Sequence, residues 1–358
     1  MAKFALRLEA RPAPSRLMAW LSPVLAVLLT VLCGALLFVA LGHDPLAGLA
    51  VFFVEPLRDA HGWSELGLKV APLLLIAVGL AICFRANIYN IGAEGQLTLG
   101  AICGGAAALY LDDGIGGAAL IGVSLLAGMA GGMAWAGLVA WLRDRYNASE
   151  ILVSLMLVYI AQLLLSYLVY GVLRDPEGFN FPQSKLLSDG LLLPMVISDT
   201  RLHVGIVFAL LASLGGWLYL SRSIAGFRLR VGGMAPAAAR YAGFSSRKTL
   251  WSSLLICGAL SGLAGACEVL GPMGQLTPTV SPGYGFAAII VAFVGRLHPV
   301  GVIFSSFVMA LFYIGGELAQ SRLGLPSAIT GVFQGILLFA LLACDVLIQY
   351  KLRWRKHG

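Results

Sequence analysis

The sequence predicts an all-α polytopic membrane protein, a bundle of about ten transmembrane helices with both termini in the cytoplasm. Three observations predict this fold: the composition, the length of the apolar runs and the placement of the basic residues. Of the 358 residues, 59% are hydrophobic and 11% are charged, whereas soluble globular proteins carry about 25% charged residues. No polar block is long enough to fold separately, so residues 1–358 are predicted to form a single transmembrane domain.

The apolar runs justify the individual helices in chain order. A helix needs about 20 predominantly apolar residues to cross the hydrocarbon core of a bilayer. The candidate spans are 18–41, 66–84, 90–111, 117–141, 150–171, 204–220, 249–270, 285–296, 299–318 and 327–348. The eighth is too short to cross alone, so we expect it to be tilted, shielded by protein or extended by the turn before it.

The basic residues predict the orientation, because loops on the cytoplasmic side of a membrane are enriched in Lys and Arg. With ten spans, an N-terminal arm (1–17), the loops after the fourth and sixth spans and the C-terminal tail fall on one side. Their basic residues are Lys3, Arg7, Arg11, Arg16, Arg143, Arg145, Arg222, Arg228, Arg230, Arg240, Arg247, Lys248, Lys351, Arg353, Arg355 and Lys356. The net charge of +7 therefore reflects topology, and no nucleic-acid partner is predicted.

The stretch 85–96, Arg-Ala-Asn-Ile-Tyr-Asn-Ile-Gly-Ala-Glu-Gly-Gln, interrupts two apolar runs with polar groups. Intramembrane polar residues are costly unless they face protein or water, so they are candidates for lining a solute pathway. Gly92 and Gly95 permit a broken helix and a close backbone approach beside them. An alternative places Glu94 in water at the cytoplasmic end of the third span. The pathway candidates of this stretch are Asn87, Asn90, Glu94 and Gln96.

Glu268, near the outer end of the seventh span, is a further candidate for the solute pathway. The alternative is a buried carboxylate whose hydrogen bonds serve the fold alone. If either Glu94 or Glu268 carried a proton during transport, the chain would be an ion-coupled secondary transporter.

The basic loop 221–248 contains a predicted short helix across the cytoplasmic face. Pro236 suits the first turn of a helix, alanines favour its middle, and Gly243 suits its C-terminal stop. Small residues would allow the groove of another protein to close around this helix. The alternative is an interfacial helix held by anionic lipid.

Several motifs of catalysis and cofactor binding are absent from the sequence. There is no GxxxxGK[ST] phosphate loop, so ATP is not expected to bind this chain in that manner. There is no HExxH motif, and the six cysteines lack metal-site spacing. The sequence therefore predicts no catalytic residue, no metal site and no cofactor bound by this chain.

Residues Phe84 to Gln96 resemble a signature of the permease subunits of bacterial ABC importers. The similarity is to the nucleoside and simple-sugar branch, which is related to the permeases for branched-chain amino acids and ribose. The stretches 232–243, 261–271 and 285–296 fit the same family less specifically, and the resemblance covers about residues 66–345. The family often has Asn-Pro where this chain has Ala235-Pro236, which removes a good helix cap.

The resemblance implies a non-enzymatic translocation subunit in the bacterial inner membrane. It implies import of a nucleoside, with a simple sugar as the alternative cargo. It also implies partners: ATPase subunits that bind ATP and Mg, a second permease in a heterodimer, an extracytoplasmic substrate-binding protein and the lipid bilayer. The residues implied to couple to the ATPase are Gly232, Gly233, Pro236, Ala237, Ala238, Tyr241 and Gly243.

Overall fold

The computed structural model describes residues 4–13, 15–111 and 117–356, and most of them are helical. Two short strands flank the helices, β1 (Phe4–Ala10) and β2 (Tyr350–Lys356). The helices are α1 (Arg16–Ala40), α2 (Pro45–Leu49), α3 (Ala60–Arg85), α4 (Ala93–Leu111), α5 (Gly117–Tyr146), α6 (Glu150–Tyr170), α7 (Gly205–Arg222), α8 (Ile224–Met234), α9 (Pro236–Tyr241), α10 (Ser246–Glu268), α11 (Tyr284–Val294), α12 (Pro299–Leu323) and α13 (Ile329–Gln349).

Each of the ten predicted spans coincides with a helix. Eight helices within the described ranges are long and apolar enough to cross a membrane. The other two predicted spans are α4, with 19 residues, and α11, with 11. The expectation of a short eighth helix is thus confirmed, as is the nearly all-α, multi-pass character of the chain.

One compact unit joins the two ends of the chain, residues 1–59 and 311–358. Helices α1 and α13 pack together in it, and the hydroxyl of Ser22 donates a hydrogen bond to Asp345 at 2.8 Å. The ring of Phe52 stacks on Phe333 with centroids 4.2 Å apart. Strand β1 pairs antiparallel with β2, so residues 4–10 lie beside residues 350–356. The predicted N-terminal arm therefore contains a strand that we did not expect.

The second compact unit, residues 60–310, is organised around α3. Almost every residue of α3 from Leu68 to Phe84 is buried, so other helices surround it. Helices α4, α5 and α10 meet at glycines. A Cβ on Gly132 would lie 2.2 Å from the Gly258 carbonyl oxygen, and one on Gly100 would lie 2.3 Å from the Cα of Gly262. The small-residue faces of these helices thus approach each other closely.

The basic segment 221–248 forms α8 and α9. Helix α9 begins at Pro236, and Gly243 follows it with a φ of +76°. Both features agree with the predicted start and stop. Helix α9 covers only Pro236–Tyr241, and Gly232 and Gly233, which were also predicted to couple to the ATPase, belong to the end of α8. Ala235, which separates the two helices, provides no side-chain cap.

Candidate functional site

The polar stretch breaks the helical path where the sequence predicted it. Residues 86–92 connect α3 to α4 without helix, and Asn87 has a φ of +58°. Gly92 packs so closely that a Cβ would lie 2.8 Å from the Cβ of Ser154. The Ser154 hydroxyl accepts a hydrogen bond from the Ile91 N–H at 3.2 Å. The break is therefore fixed against α6.

Asn90 and Gln96 are buried and bond to each other. Asn90 Nδ2 donates to Gln96 Oε1 at 3.2 Å, and Gln96 Nε2 donates to Asn90 Oδ1 at 3.3 Å. Asn90 Oδ1 also accepts from the Gly92 N–H at 3.0 Å, and Asn90 Nδ2 lies 3.2 Å from the Cys257 sulfur. These contacts use most of the hydrogen-bonding capacity of the two amides. Their side chains thus hold the shape of the connection.

Glu94 is only 2% exposed, in the first turn of α4. This burial excludes the alternative of a carboxylate in water. Its Oε2 accepts the Gly285 N–H at 2.6 Å, and further hydrogen bonds reach it from Ser281 and the backbone of Gly283. All three partners lie at the start of α11, where a helix favours negative charge. Glu94 therefore ties the beginning of α4 to the beginning of α11.

Helix α11 lies alongside α3 between about Lys69 and Phe84 and runs in the same direction. At its start, the ring centroid of Tyr284 lies 5.9 Å from Lys69 Nζ. At its end, Phe293 stacks on Phe84 with centroids 5.1 Å apart, and Arg85 Nε donates to the Leu297 carbonyl at 2.7 Å. With 11 residues, α11 is about 16 Å long. Because Glu94 bonds to the start of α11 and the end of α3 contacts its other end, Glu94 lies about 16 Å from the end of α3.

A cavity of about 440 Å³ opens beside Glu94. Glu268, which is 6% exposed, lines it, as does Ser281, the hydrogen-bond partner of Glu94. Its size is typical of small-molecule sites. The lining residues are Leu68, Lys69, Arg201, Glu268, Pro272, Met273, Thr279, Val280, Ser281, Pro282 and Tyr284.

Charged groups of both signs face this cavity. Lys69 interacts electrostatically with Glu268, and Arg201 Nε donates to the buried Glu65 Oε1 at 3.0 Å. Sequence reasoning selected Glu268 but missed Lys69, although this lysine interrupts an apolar span and such residues are functional candidates by default. The proximity of Lys69 to Glu268 at one cavity could not be read from the sequence, since the two residues are far apart in it.

The predicted coupling residues form an exposed surface with one rigid contact behind it. Pro236, Ala237 and Ala238 are exposed, and Tyr241 is 98% exposed. Gly233, in contrast, packs inward, where a Cβ would lie 2.4 Å from the Arg85 carbonyl oxygen. The end of α8 thus rests directly on the end of α3.

A second cavity, of about 430 Å³, lies beside α9. Asn87, Gly232 and Pro236 line it. Asn87, predicted to line the solute pathway, is therefore found next to the predicted coupling residues and not among the lining residues of the first cavity. Across the described ranges, no group of three or more His, Cys, Asp or Glu side chains is placed to hold a metal ion.

Replacing Ala235 by serine is expected to stabilise the first turn of α9. A serine hydroxyl at this N-cap position would accept a backbone N–H of the first turn, which is worth about 1 kcal/mol. Hydrogen exchange of the Ala238 amide should slow about fivefold, since RT is about 0.6 kcal/mol. The matched variant Ala237→Ser places the hydroxyl inside the helix, where it does not cap the first turn, so it should not slow exchange of the Ala238 amide. Equal exchange in the two variants would contradict the assigned start of α9.

Comparisons with known proteins agree on one class. A family model described as the permease component of branched-chain amino acid transport systems matches residues 64–342. The glucose ABC transporter permease protein TsgB13 of Haloferax volcanii is 32% identical over 97% of this chain and 93% of that protein.

Two guanosine ABC transporter permease proteins of Bacillus subtilis, NupP and NupQ, are also similar to this chain. NupP is 31% identical over 90% of this chain and 93% of its own length. NupQ is 29% identical over 69% of this chain and 80% of its own length. Two distinct permease proteins with the same named cargo in one organism thus share sequence with this chain.

Proposed function

The chain belongs to the family of permease components of branched-chain amino acid transport systems, and on this premise we propose that it is the permease subunit of an ATP-driven importer for a nucleoside. The observation that carries the proposal is the cavity of about 440 Å³, which places Lys69, Glu268 and Tyr284 between apolar helices. Polar groups in such a place are expected on a solute path. ATP-driven closure of partner subunits would switch this path between outward-facing and inward-facing states.

Nucleosides suit the chemistry of the cavity. A ribose and a base offer hydroxyls, amines and ring nitrogens, which can bond to a carboxylate, an ammonium and the hydroxyls of Thr279 and Ser281. Relatives named for guanosine transport support this cargo. A simple sugar is the second candidate, because a relative named for glucose matches over 97% of the chain. Competition between labelled guanosine and unlabelled glucose in an uptake assay separates the two.

The predicted pathway residues take different proposed roles. Glu268, with Lys69, would contact the solute, because both line the cavity. Glu94 would position α11 beside it through Gly285. Asn90 and Gln96 would hold the connection between α3 and α4 in its non-helical form. Asn87 would change position when the coupling segment moves, since it lines the cavity beside α9.

The coupling proposal assigns the energy source to other subunits. Partner ATPases, which would bind ATP and Mg, would clasp the exposed face of α9 that includes Tyr241. Movement of α9 would reach α3 through the contact of Gly233 with the Arg85 backbone. A second, different permease and an extracytoplasmic substrate-binding protein would complete the importer. The chain would lie in the inner membrane with both termini in the cytoplasm.

Purification with the neighbouring gene products tests the proposal. We expect a complex with an ATPase subunit, whose ATP hydrolysis increases when guanosine and the binding protein are added. Uptake into cells should stop on ATP depletion and continue when the proton gradient is collapsed. The opposite pattern, together with no ATPase complex, would identify an ion-coupled secondary transporter using Glu94 or Glu268.

Replacing Gly243 by leucine is expected to uncouple ATP hydrolysis from transport. Gly243 has a φ of +76°, which costs a residue with a Cβ about 1–2 kcal/mol, so the end of α9 should refold locally. The ratio of solute moved to ATP hydrolysed should fall severalfold in proteoliposomes. Asparagine tolerates this backbone conformation better, so Gly243→Asn is the matched control and should retain most coupling. Normal coupling in the leucine variant would contradict the proposal that α9 contacts the ATPase.

A further inference from the structure

We propose that the cavity beside α9 binds a phosphate-bearing anion, and that this anion holds the coupling segment in place. The inference goes beyond the proposed function and does not depend on the identity of the cargo. The cavity measures about 430 Å³ and lies among α5, α6, α8, α9, α10 and the connection after α3. An anion bound there would contact several of these elements at once.

Arginines dominate the charges around this cavity. Four arginines and two carboxylates line it, namely Arg143, Arg228, Arg240, Arg247, Asp144 and Glu150. Arg247 Nε lies 2.7 Å from Asp144 Oδ2, and Arg143 Nε lies 3.3 Å from Glu150 Oε2. Each carboxylate therefore neutralises one arginine.

Arg228 and Arg240 are left without a carboxylate partner in the part of the chain that the structure describes. The Arg228 guanidinium lies over the Phe244 ring, 5.5 Å from its centroid, which orients it without neutralising it. Arg240 is an exposed residue of α9 that lines the same cavity. The cavity thus presents two uncompensated positive charges from two neighbouring helices.

Phosphate is the anion that this arrangement fits best. Guanidinium groups bind phosphate oxygens through paired, charge-assisted hydrogen bonds. Hydroxyl and amide groups of Asn87, Ser246 and Thr249 also line the cavity and can complete the coordination. The volume is in the range for small organic ligands, so there is room for a phosphate ester. Such a group is available from a free nucleotide or from the headgroup of an anionic lipid.

The position of the site indicates its effect. Arg240 belongs to α9, Arg228 belongs to α8, and Asn87 belongs to the connection between α3 and α4. A phosphate group bonded to all three would resist movement of the coupling segment relative to that connection. We therefore expect the bound anion to inhibit transport.

Binding to the purified full-length chain in neutral detergent is the first test. Calorimetry with guanosine 5′-monophosphate should detect binding that inorganic phosphate weakens by competition, and guanosine alone should not compete. The double variant Arg228→Gln/Arg240→Gln should weaken binding at least tenfold. Arg222→Gln, which removes an exposed arginine beside Trp217 and outside the cavity, should bind as the unaltered chain does. Monodisperse elution and an unchanged melting temperature establish that the double variant is folded.

Lipid vesicles provide the second arm. Proteoliposomes of phosphatidylcholine, with or without phosphatidylglycerol, distinguish a lipid phosphate from a free one. A decrease in melting temperature on omission of phosphatidylglycerol, absent from the double variant, identifies the lipid as the source. The proposal is overturned if neither the nucleotide nor the lipid has an effect, or if any effect persists in the double variant. Both readouts are independent of transport, so failure of the importer assignment would leave them interpretable.

Discussion

Replacement of Lys69 by alanine is expected to abolish transport and to destabilise the protein. The change would leave the buried carboxylate of Glu268 without the cation that interacts with it. Loss of a nearby positive charge makes it more costly to keep a buried carboxylate ionised. Uptake should fall at least tenfold in reconstituted vesicles, and the melting temperature of the purified chain should decrease.

Two companion variants separate stability from transport. Lys69→Met combined with Glu268→Gln removes both charges at similar volume, so it should recover most of the stability while transport stays low. Lys69→Arg retains the positive charge and should fold normally. If the Lys69→Ala chain melts earlier but its folded fraction transports at the normal rate, the pair is structural and the cavity does not carry the solute.

Replacement of Glu94 by alanine is the second change with a large expected effect. The Gly285 N–H would lose its acceptor, and an unsatisfied buried donor costs about 1–3 kcal/mol. The start of α11 should then move away from α4, together with the wall of the cavity that contains Ser281. We expect uptake to fall severalfold while the ATPase subunit still co-purifies with the chain.

Glutamine is the matched control at position 94. Glu94→Gln keeps one carbonyl oxygen as the acceptor for Gly285 and removes the second acceptor oxygen together with the charge. The attraction of that charge to a helix N-terminus is worth about 0.3–1 kcal/mol. Transport should therefore be reduced much less than in the alanine variant. Normal transport by the Glu94→Ala chain would contradict the proposal that Glu94 positions α11 beside the solute pathway.

The membrane helices were predictable because each depends on a local run of residues. An apolar run of sufficient length specifies a span, and Pro236 and Gly243 mark the ends of α9 by their own backbone preferences. Glycines at helical spacing, such as Gly258 and Gly262, are also a local signal that is typical of close helix contacts. These signals require no knowledge of what lies elsewhere in the chain.

The features that sequence reasoning missed depend on partners far away in the chain. Glu94 and Gly285 are brought together across 191 positions, and no local pattern specifies that contact. Strands β1 and β2 are joined from opposite ends of the chain. Residues 6–10 of β1 and 350–355 of β2 alternate between apolar and charged, a pattern of period two that could have indicated a strand.

The contact between Gly233 and the Arg85 carbonyl has a mechanical consequence. Main-chain atoms touch there with no side chain between them, so rotamer changes cannot absorb a displacement. A side chain between the helices could absorb part of a helix displacement, because it can adopt other staggered conformations at low cost. A shift of α8 by even about 1 Å must therefore move the end of α3 or break the contact, since packed interiors transmit strain. The contact therefore transmits a displacement of α8 directly to α3. It does so because Gly233 has no Cβ that would separate the two backbones.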